Sequence, residues 1–226
     1  MQVDVFTLFP EWFGWFERQH HVRNALRQGH DLRLFNYRDT TPLRQGQVDD
    51  TPFGGGAGMV VRVDVVDAAL QAAYGPDTEA MLASRRVVVL TPAGRPLDDA
   101  LVDELAAEER LTLLCGRYEG VDHRVREHLA NDAISVGPYV LSGGELAAMV
   151  VTDAVMRKLP GVLGDEHSAV EESFSAALEG GPEYPQFTRP AEYRGWGVPE
   201  VLLSGHHGRV REWRMEQAAK LRDGDR

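Results

Sequence analysis

The sequence predicts an α/β protein with a mainly parallel sheet and helices on both faces. Three observations predict it. Five short runs rich in Val, Leu, Ile or Phe alternate with longer helical patterns from Met1 to about Pro160. Three of those runs end in glycine-bearing loops, and ligands sit at the carboxyl ends of strands in open α/β sheets. With 226 residues, 43% of them hydrophobic, the chain is long enough to bury a core on each face.

In chain order, the first strand covers 3–8 and the second 32–37, and a helical pattern follows over 63–74. Strand 86–91 leads to a helix over 97–108, where Asp98 and Asp99 put carboxylates in the first turn and suit the helix dipole. Strand 111–115, helix 121–130, strand 133–136 and helix 144–159 complete the set. From Pro160 to Ser168 breakers and acids replace large apolar groups, which reads as a linker. The expected organisation is a sheet domain over 1–160, a flexible linker over 161–175 and a small helical domain over 176–226 with an amphipathic helix over 209–221. The last piece has too little apolar content to stand alone, so it is expected to pack on the first domain or on a second copy of the chain.

One cysteine, Cys115, leaves no internal disulfide, and no Cys/His pair has zinc-site spacing. No leader is visible and no apolar run reaches membrane-spanning length, so a cytoplasmic protein is expected. The net charge of −11 disfavours a nucleic-acid partner as a sum, yet the charge is uneven. The piece from residue 189 carries 8 basic and 6 acidic side chains, with Arg209, Arg211 and Arg214 around Trp213 on one helix. Such a helix is either a solvated face or a small RNA-binding surface.

No G-x-G-x-x-G follows a strand and no Walker loop is present; the run 53–59, Phe-Gly-Gly-Gly-Ala-Gly-Met, resembles these only loosely. Ligand binding is expected instead on three loops: Leu90-Thr91-Pro92-Ala93-Gly94, Cys115-Gly116-Arg117-Tyr118-Glu119-Gly120, and 135–144, Ser-Val-Gly-Pro-Tyr-Val-Leu-Ser-Gly-Gly. Glycines there let a ligand approach main-chain groups. Backbone atoms read an adenine edge, and Leu, Tyr and Val side chains sandwich a flat ring.

These loops, with Thr-Leu-Phe-Pro at 7–10, the glycine run at 52–59, Thr188-Arg189-Pro190 and Leu203-Ser204-Gly205-His206-His207, resemble the bacterial tRNA (guanine-N1)-methyltransferase family of knotted SPOUT enzymes. The motifs occur in order over nearly the whole chain. The resemblance implies a trefoil knot and a homodimer whose active site is shared between chains. It also implies a magnesium requirement and methyl transfer from S-adenosylmethionine to N1 of the guanosine just 3′ of the tRNA anticodon. Two other readings stay open: a noncatalytic RNA-binding relative, and a SPOUT methyltransferase acting on another RNA.

The resemblance assigns the donor pocket to Leu90, Thr91, Pro92, Gly116, Tyr118, Glu119, Gly120, Val136, Gly137, Pro138, Tyr139, Val140, Leu141 and Gly143. Glu119 also reads as a carboxylate capping the next helix. Guanine N1 is protonated at neutral pH, so transfer needs a base for that proton and a cation for the charge that builds on O6. Arg157 matches the family arginine for O6, although a cation there also suits a helix C-terminus. Glu172 stands where the family pattern has an aspartate, a change that moves the carboxylate by about 1.5 Å; Glu171 and His167 are the substitutes, and a solvated acidic run is the plain alternative. Pro138 stands where the family commonly has an acid. Arg189, His206, His207, Arg209, Arg211 and Arg214 match the tRNA-contacting domain, and no residue is assigned to a metal.

Overall fold

Five strands of the computed structural model, which describes residues 1–163 and 172–224, form one parallel sheet. They are β1 (Gln2–Thr7), β2 (Asp31–Asn36), β5 (Arg86–Pro96), β6 (Arg110–Cys115) and β7 (Asp132–Ser135), in the spatial order β2-β1-β6-β5-β7. Two short strands, β3 (Asp49–Asp50) and β4 (Val60–Val61), pair antiparallel outside it. The helices of this unit are α1 (His20–Arg27), α2 (Val63–Tyr74), α3 (Thr78–Ser84), α4 (Asp99–Ala106), α5 (His123–His128) and α6 (Glu145–Lys158). The chain divides into two units, Met1–Gly164 and Asp165–Arg226.

Alternation along each strand builds two cores. Val3, Val5, Val88, Leu90, Leu111, Leu113, Cys115 and Ile134 face one core, which also takes buried residues of α1, α4 and α6. Phe6, Val87, Val89, Leu114 and Ala133 face the other, which takes those of α2, α3 and α5. The strands are apolar on both faces because both faces are covered.

All five expected strands are present, four within one residue of their expected bounds. The strand expected over 86–91 continues to Pro96. Pairing with β7 is interrupted after Leu90 and resumes at Arg95, both opposite Ile134, so residues 91–94 leave the ladder as a loop. Gly94 makes this possible, because a Cβ there would lie 2.5 Å from the Ile134 backbone. Asp98 is the cap of α4 rather than part of its first turn, accepting the Leu101 N–H at 2.8 Å.

Helices α1 and α3 and the β3–β4 pair were not expected. In α1, Val22, Ala25 and the partly buried Leu26 recur at helical spacing but over only eight residues, and α3 buries Met81 alone.

The amino-terminal edge of the sheet is closed by a buried carboxylate. Asp4 accepts two hydrogen bonds from Arg33 at 2.8 and 2.7 Å, one from Tyr74 Oη at 2.6 Å, one from Gln2 at 2.8 Å and one from Arg85 at 3.1 Å. Burial pushes its pKa up, but the hydrogen bonds from Arg33, Tyr74 and Gln2 and the Arg33 charge outweigh it and hold the carboxyl below the ordinary value. The Arg85 guanidinium also lies 3.5 Å from the Tyr74 ring centroid.

The second unit carries a two-stranded pair, β8 (Glu192–Tyr193) and β9 (Trp196–Gly197), then α7 (Glu200–Leu203) and α8 (His207–Arg222). Its buried cluster is Leu178, Tyr184 and Ala218. The amphipathic helix expected over 209–221 is thus longer, and Ala218 is its buried residue among those described.

Candidate functional site

The 91–94 break in β5 and the loops that follow β6 and β7 come together at the carboxyl edge of the sheet around a cavity of about 430 Å³. Backbone bonds stitch them. Arg117 bridges Gly120 and Gly143, and the Gly144 N–H donates to the Gly116 carbonyl at 2.8 Å. Only glycine fits at 144, where a Cβ would stand 2.7 Å from Cys115 Cα. On the other side the Glu119 N–H donates to the Met59 carbonyl at 3.0 Å and the Val61 N–H to the Gly120 carbonyl at 3.0 Å. The glycine run at 53–59, set aside in the sequence because no strand precedes it, therefore abuts the second loop.

Thirteen of the fourteen expected donor-pocket residues line this cavity: Leu90, Thr91 and Pro92; Gly116, Tyr118, Glu119 and Gly120; Val136, Gly137, Tyr139, Val140, Leu141 and Gly143. Pro138 does not. It is exposed at the middle of a three-residue turn closed by the Tyr139 N–H on the Gly137 carbonyl at 2.9 Å. Tyr139 Oη donates to the Val136 carbonyl at 3.0 Å and Ser135 Oγ to the Gly137 carbonyl at 3.0 Å, so hydroxyls fix this glycine-bearing turn.

Tyr118 adopts φ +60°, a strained conformation for a residue with a side chain, and it is half exposed at the rim. The capping alternative for Glu119 is filled by Asp122, which accepts the Arg124 N–H at 3.0 Å at the start of α5. Its hydrogen bonds from the Arg124 side chain hold the Asp122 carboxyl below the ordinary carboxylate value, against a smaller opposing effect of burial. Sequence reasoning missed Arg117, Asp122, His123 and Arg126 on the cavity wall, because the glycines of the motif drew attention to backbone rather than to the charged side chains between them.

Arg157 lies elsewhere. It is exposed in the last turn of α6, ten residues beyond the cavity residue Ala147 and so about 15 Å along the helix at 1.5 Å per residue. Glu172 is half-buried in the second unit, where its carbonyl accepts the Ser175 N–H at 3.1 Å. Glu171 and His167 lie outside the described residues. Arg189, His206, His207, Arg209 and Arg211 are exposed in the second unit, whereas Arg214 is half-buried with its guanidinium 4.8 Å from the Tyr184 ring centroid. Five residues separate Arg209 from Arg214, so they point about 140° apart around α8 at 3.6 residues per turn.

Residues 1–226 match the family described as tRNA (Guanine-1)-methyltransferase TrmD. Curated relatives named tRNA (guanine-N(1)-)-methyltransferase include one from Brevibacillus brevis, 47% identical over 97% of this chain and 87% of its own length. Others are those of Syntrophomonas wolfei and Geotalea uraniireducens, each 48% identical over 96% of this chain and 85% of their own. The chain belongs to the tRNA (guanine-1)-methyltransferase family. It is an enzyme, which sets aside the noncatalytic reading, and membership of this methyltransferase family implies S-adenosylmethionine as methyl donor. Among the described residues no helix is long and apolar enough to cross a membrane, and no three His, Cys, Asp or Glu groups converge as metal ligands.

Proposed function

We propose that this chain transfers a methyl group from S-adenosylmethionine to N1 of the guanosine immediately 3′ of the tRNA anticodon, position 37, giving 1-methylguanosine. The observation that carries the reading is the convergence of three loops on one cavity of about 430 Å³, a volume in the range of small-molecule sites. The donor fits it by chemistry. Leu90, Val136, Leu141 and Ala147 offer apolar walls to a flat ring, Glu119 and Asp122 offer carboxylates to its cationic groups, and Arg126 faces a carboxylate.

When bound, S-adenosylmethionine supplies an electrophilic methyl carbon on a sulfonium. The Glu172 carboxylate takes the N1 proton of guanine, and the Arg157 guanidinium stabilises the charge that builds on O6. The freed N1 lone pair forms the new N–C bond as the C–S bond breaks, leaving a neutral thioether and the proton on Glu172. Reaching the base requires turning it out of its loop, which costs least in a single-stranded segment.

Arg157 reaches such a base through a second copy of the chain. Leu146, Val150 and Arg157 share one face of α6 at spacings of four and seven, and all three are exposed. A partner covering this apolar face receives Arg157 at its own cavity, which supports a homodimer with a shared active site. The family's trefoil knot is part of the reading. Residues 176–226 act as a small tRNA-binding domain through Arg189, His206, His207, Arg209, Arg211 and Arg214. Exposed Tyr193 and Trp196 offer rings on which bases can stack. A tRNA substrate puts the enzyme in the cytoplasm. Magnesium finds no ligand set among the described residues, and no step is assigned to it.

The test is methylation of tRNA transcripts carrying guanosine or adenosine at position 37. Transfer to the guanosine transcript alone, with 1-methylguanosine in the digest, is expected; equal labelling of both, or of neither, overturns the reading.

A further inference from the structure

One buried ion pair beside the cavity has no part in the chemistry above. Glu145 opens α6 and is 1% exposed. Its Oε1 accepts from Thr7 Oγ1 at 2.9 Å, and Thr7 Oγ1 in turn accepts the Phe9 N–H at 2.9 Å. Its Oε2 has no hydrogen-bond partner among the described residues, but stands 3.3 Å from Arg117 Nε, at ion-pair distance and off the hydrogen-bond axis. Arg117 Nη1 donates to the Ser142 carbonyl at 3.0 Å. The same guanidinium lies 4.4 Å from the Phe9 ring centroid and 4.7 Å from that of Trp12, and the two rings stack on each other at 4.9 Å.

One arginine therefore gathers the segments that follow β1, β6 and β7. The loops themselves are rich in glycine and have few side chains with which to lock one another. We propose that Arg117 is a positioning residue that, through Glu145, holds the 116–120 and 141–144 loops at the separation S-adenosylmethionine needs; this rests on the donor reading above. The Glu145 carboxylate gains from the amino end of α6, but a buried charge also needs a cation, so the loops close where Arg117 can face it. Only a planar guanidinium can meet Glu145, donate to Ser142 and lie on two rings together, so lysine is no substitute. Arg117 touches neither N1 nor O6 of guanine in this account and is not a catalytic residue.

The test compares wild type, Arg117→Gln, Arg117→Lys, Glu145→Gln and the Arg117→Gln/Glu145→Gln double variant. S-adenosylhomocysteine binding is measured by calorimetry, and kcat and both KM values on a tRNA transcript. Arg117→Gln is expected to weaken binding and raise donor KM by about tenfold to a hundredfold, the scale of a misplaced binding group, with tRNA KM unmoved and kcat at saturating donor within about threefold. Arg117→Lys fails to rescue. The double variant, which removes both charges together, binds more tightly than the product of the single losses predicts, because the two act as a pair. Should Arg117→Gln fail to fold, the double variant carries the test: donor binding within about twofold of Glu145→Gln supports the pair, whereas a further tenfold loss overturns it. Unchanged donor affinity in folded Arg117→Gln, or strictly additive losses, also overturns the coupling. Wild-type protein that does not bind S-adenosylhomocysteine at all overturns the donor reading instead.

Discussion

At the start of β1 the Asp4 carboxylate accepts hydrogen bonds from Arg33, Arg85, Tyr74 and Gln2, whereas past its end the Glu145 carboxylate accepts one, from Thr7, and faces Arg117 off-axis. Both groups are buried. The first is saturated by side chains of β1, β2 and α2 and by Arg85, just before β5. The second lies where the segments that follow β1, β6 and β7 meet, and its partner arginine belongs to one of those segments. The contrast assigns stability to the amino edge of the sheet and adaptability to the carboxyl edge, where the cavity lies. Substitutions at the two edges should therefore separate, one set lowering stability and the other weakening donor binding or turnover.

The largest effect tests the proposed chemistry. Glu172→Gln is expected to lower methyl transfer by about a hundredfold to ten-thousandfold, the range for loss of a general base, while leaving S-adenosylhomocysteine affinity and melting temperature nearly unchanged. Single-turnover rates equal to wild type would dispose of the assignment. At the amino edge the pattern reverses. Asp4→Asn leaves Arg85 buried without its counter-charge and is expected to cost about 3–5 kcal/mol in denaturant unfolding, as breaking a buried pair does, with kcat of the folded enzyme kept. A stable variant with impaired turnover would erase the contrast. Arg157→Ala returns to the chemistry, with an expected loss of about a hundredfold to a thousandfold in kcat and little change in donor binding.

Acid sharpens the same contrast by a smaller amount. The folded Asp4 carboxyl titrates below its ordinary value of 3.8, so between the two values the folded state binds fewer protons than the unfolded one. Its contribution is complete above about pH 4 and is lost as pH falls through the folded value. Unfolding free energy measured from pH 6 down to 3 should drop more steeply in wild type than in Asp4→Asn. Parallel curves would mean that this carboxylate is not the group responsible.

Much of this arrangement was legible in the sequence. The five sheet strands show as apolar runs because both faces are buried, and the cavity loops show as glycine clusters because backbone must approach backbone. Helices α1 and α3 were not read because they span only eight and seven residues, so the apolar spacing of Val22, Ala25 and Leu26 in α1 is barely two turns long and α3 buries Met81 alone. The continuation of β5 to Pro96 was hidden by the break at 91–94, which reads as a strand end. Arg117 was missed for a different reason. Its partners Phe9, Trp12 and Glu145 are scattered along the chain, and no local pattern records that they meet. The helix read over 209–221 is present in α8, and its sheltered positions Val210, Trp213, Arg214, Gln217 and Ala218 recur at helical spacing.

Pro138 gives the smallest expected effect and the closest check on how the loop after β7 works. A run of motif residues invites the assumption that each of them faces the ligand, and the acid common at this position in the family strengthens it. Pro138 instead sits exposed on the outside of a turn closed by the Tyr139 N–H on the Gly137 carbonyl, while Gly137 and Tyr139 face the cavity. Pro138→Asp would restore an N–H and add a charge, both on the solvent side. It would also release the fixed φ, which costs about 0.4–1 kcal/mol of loop order. Calorimetry should therefore find S-adenosylhomocysteine bound no more tightly, and at most about fivefold more weakly, than by wild type. A tenfold gain would mean that a carboxylate at 138 reaches the donor after all, and that the loop moves on binding far enough to turn this position inward.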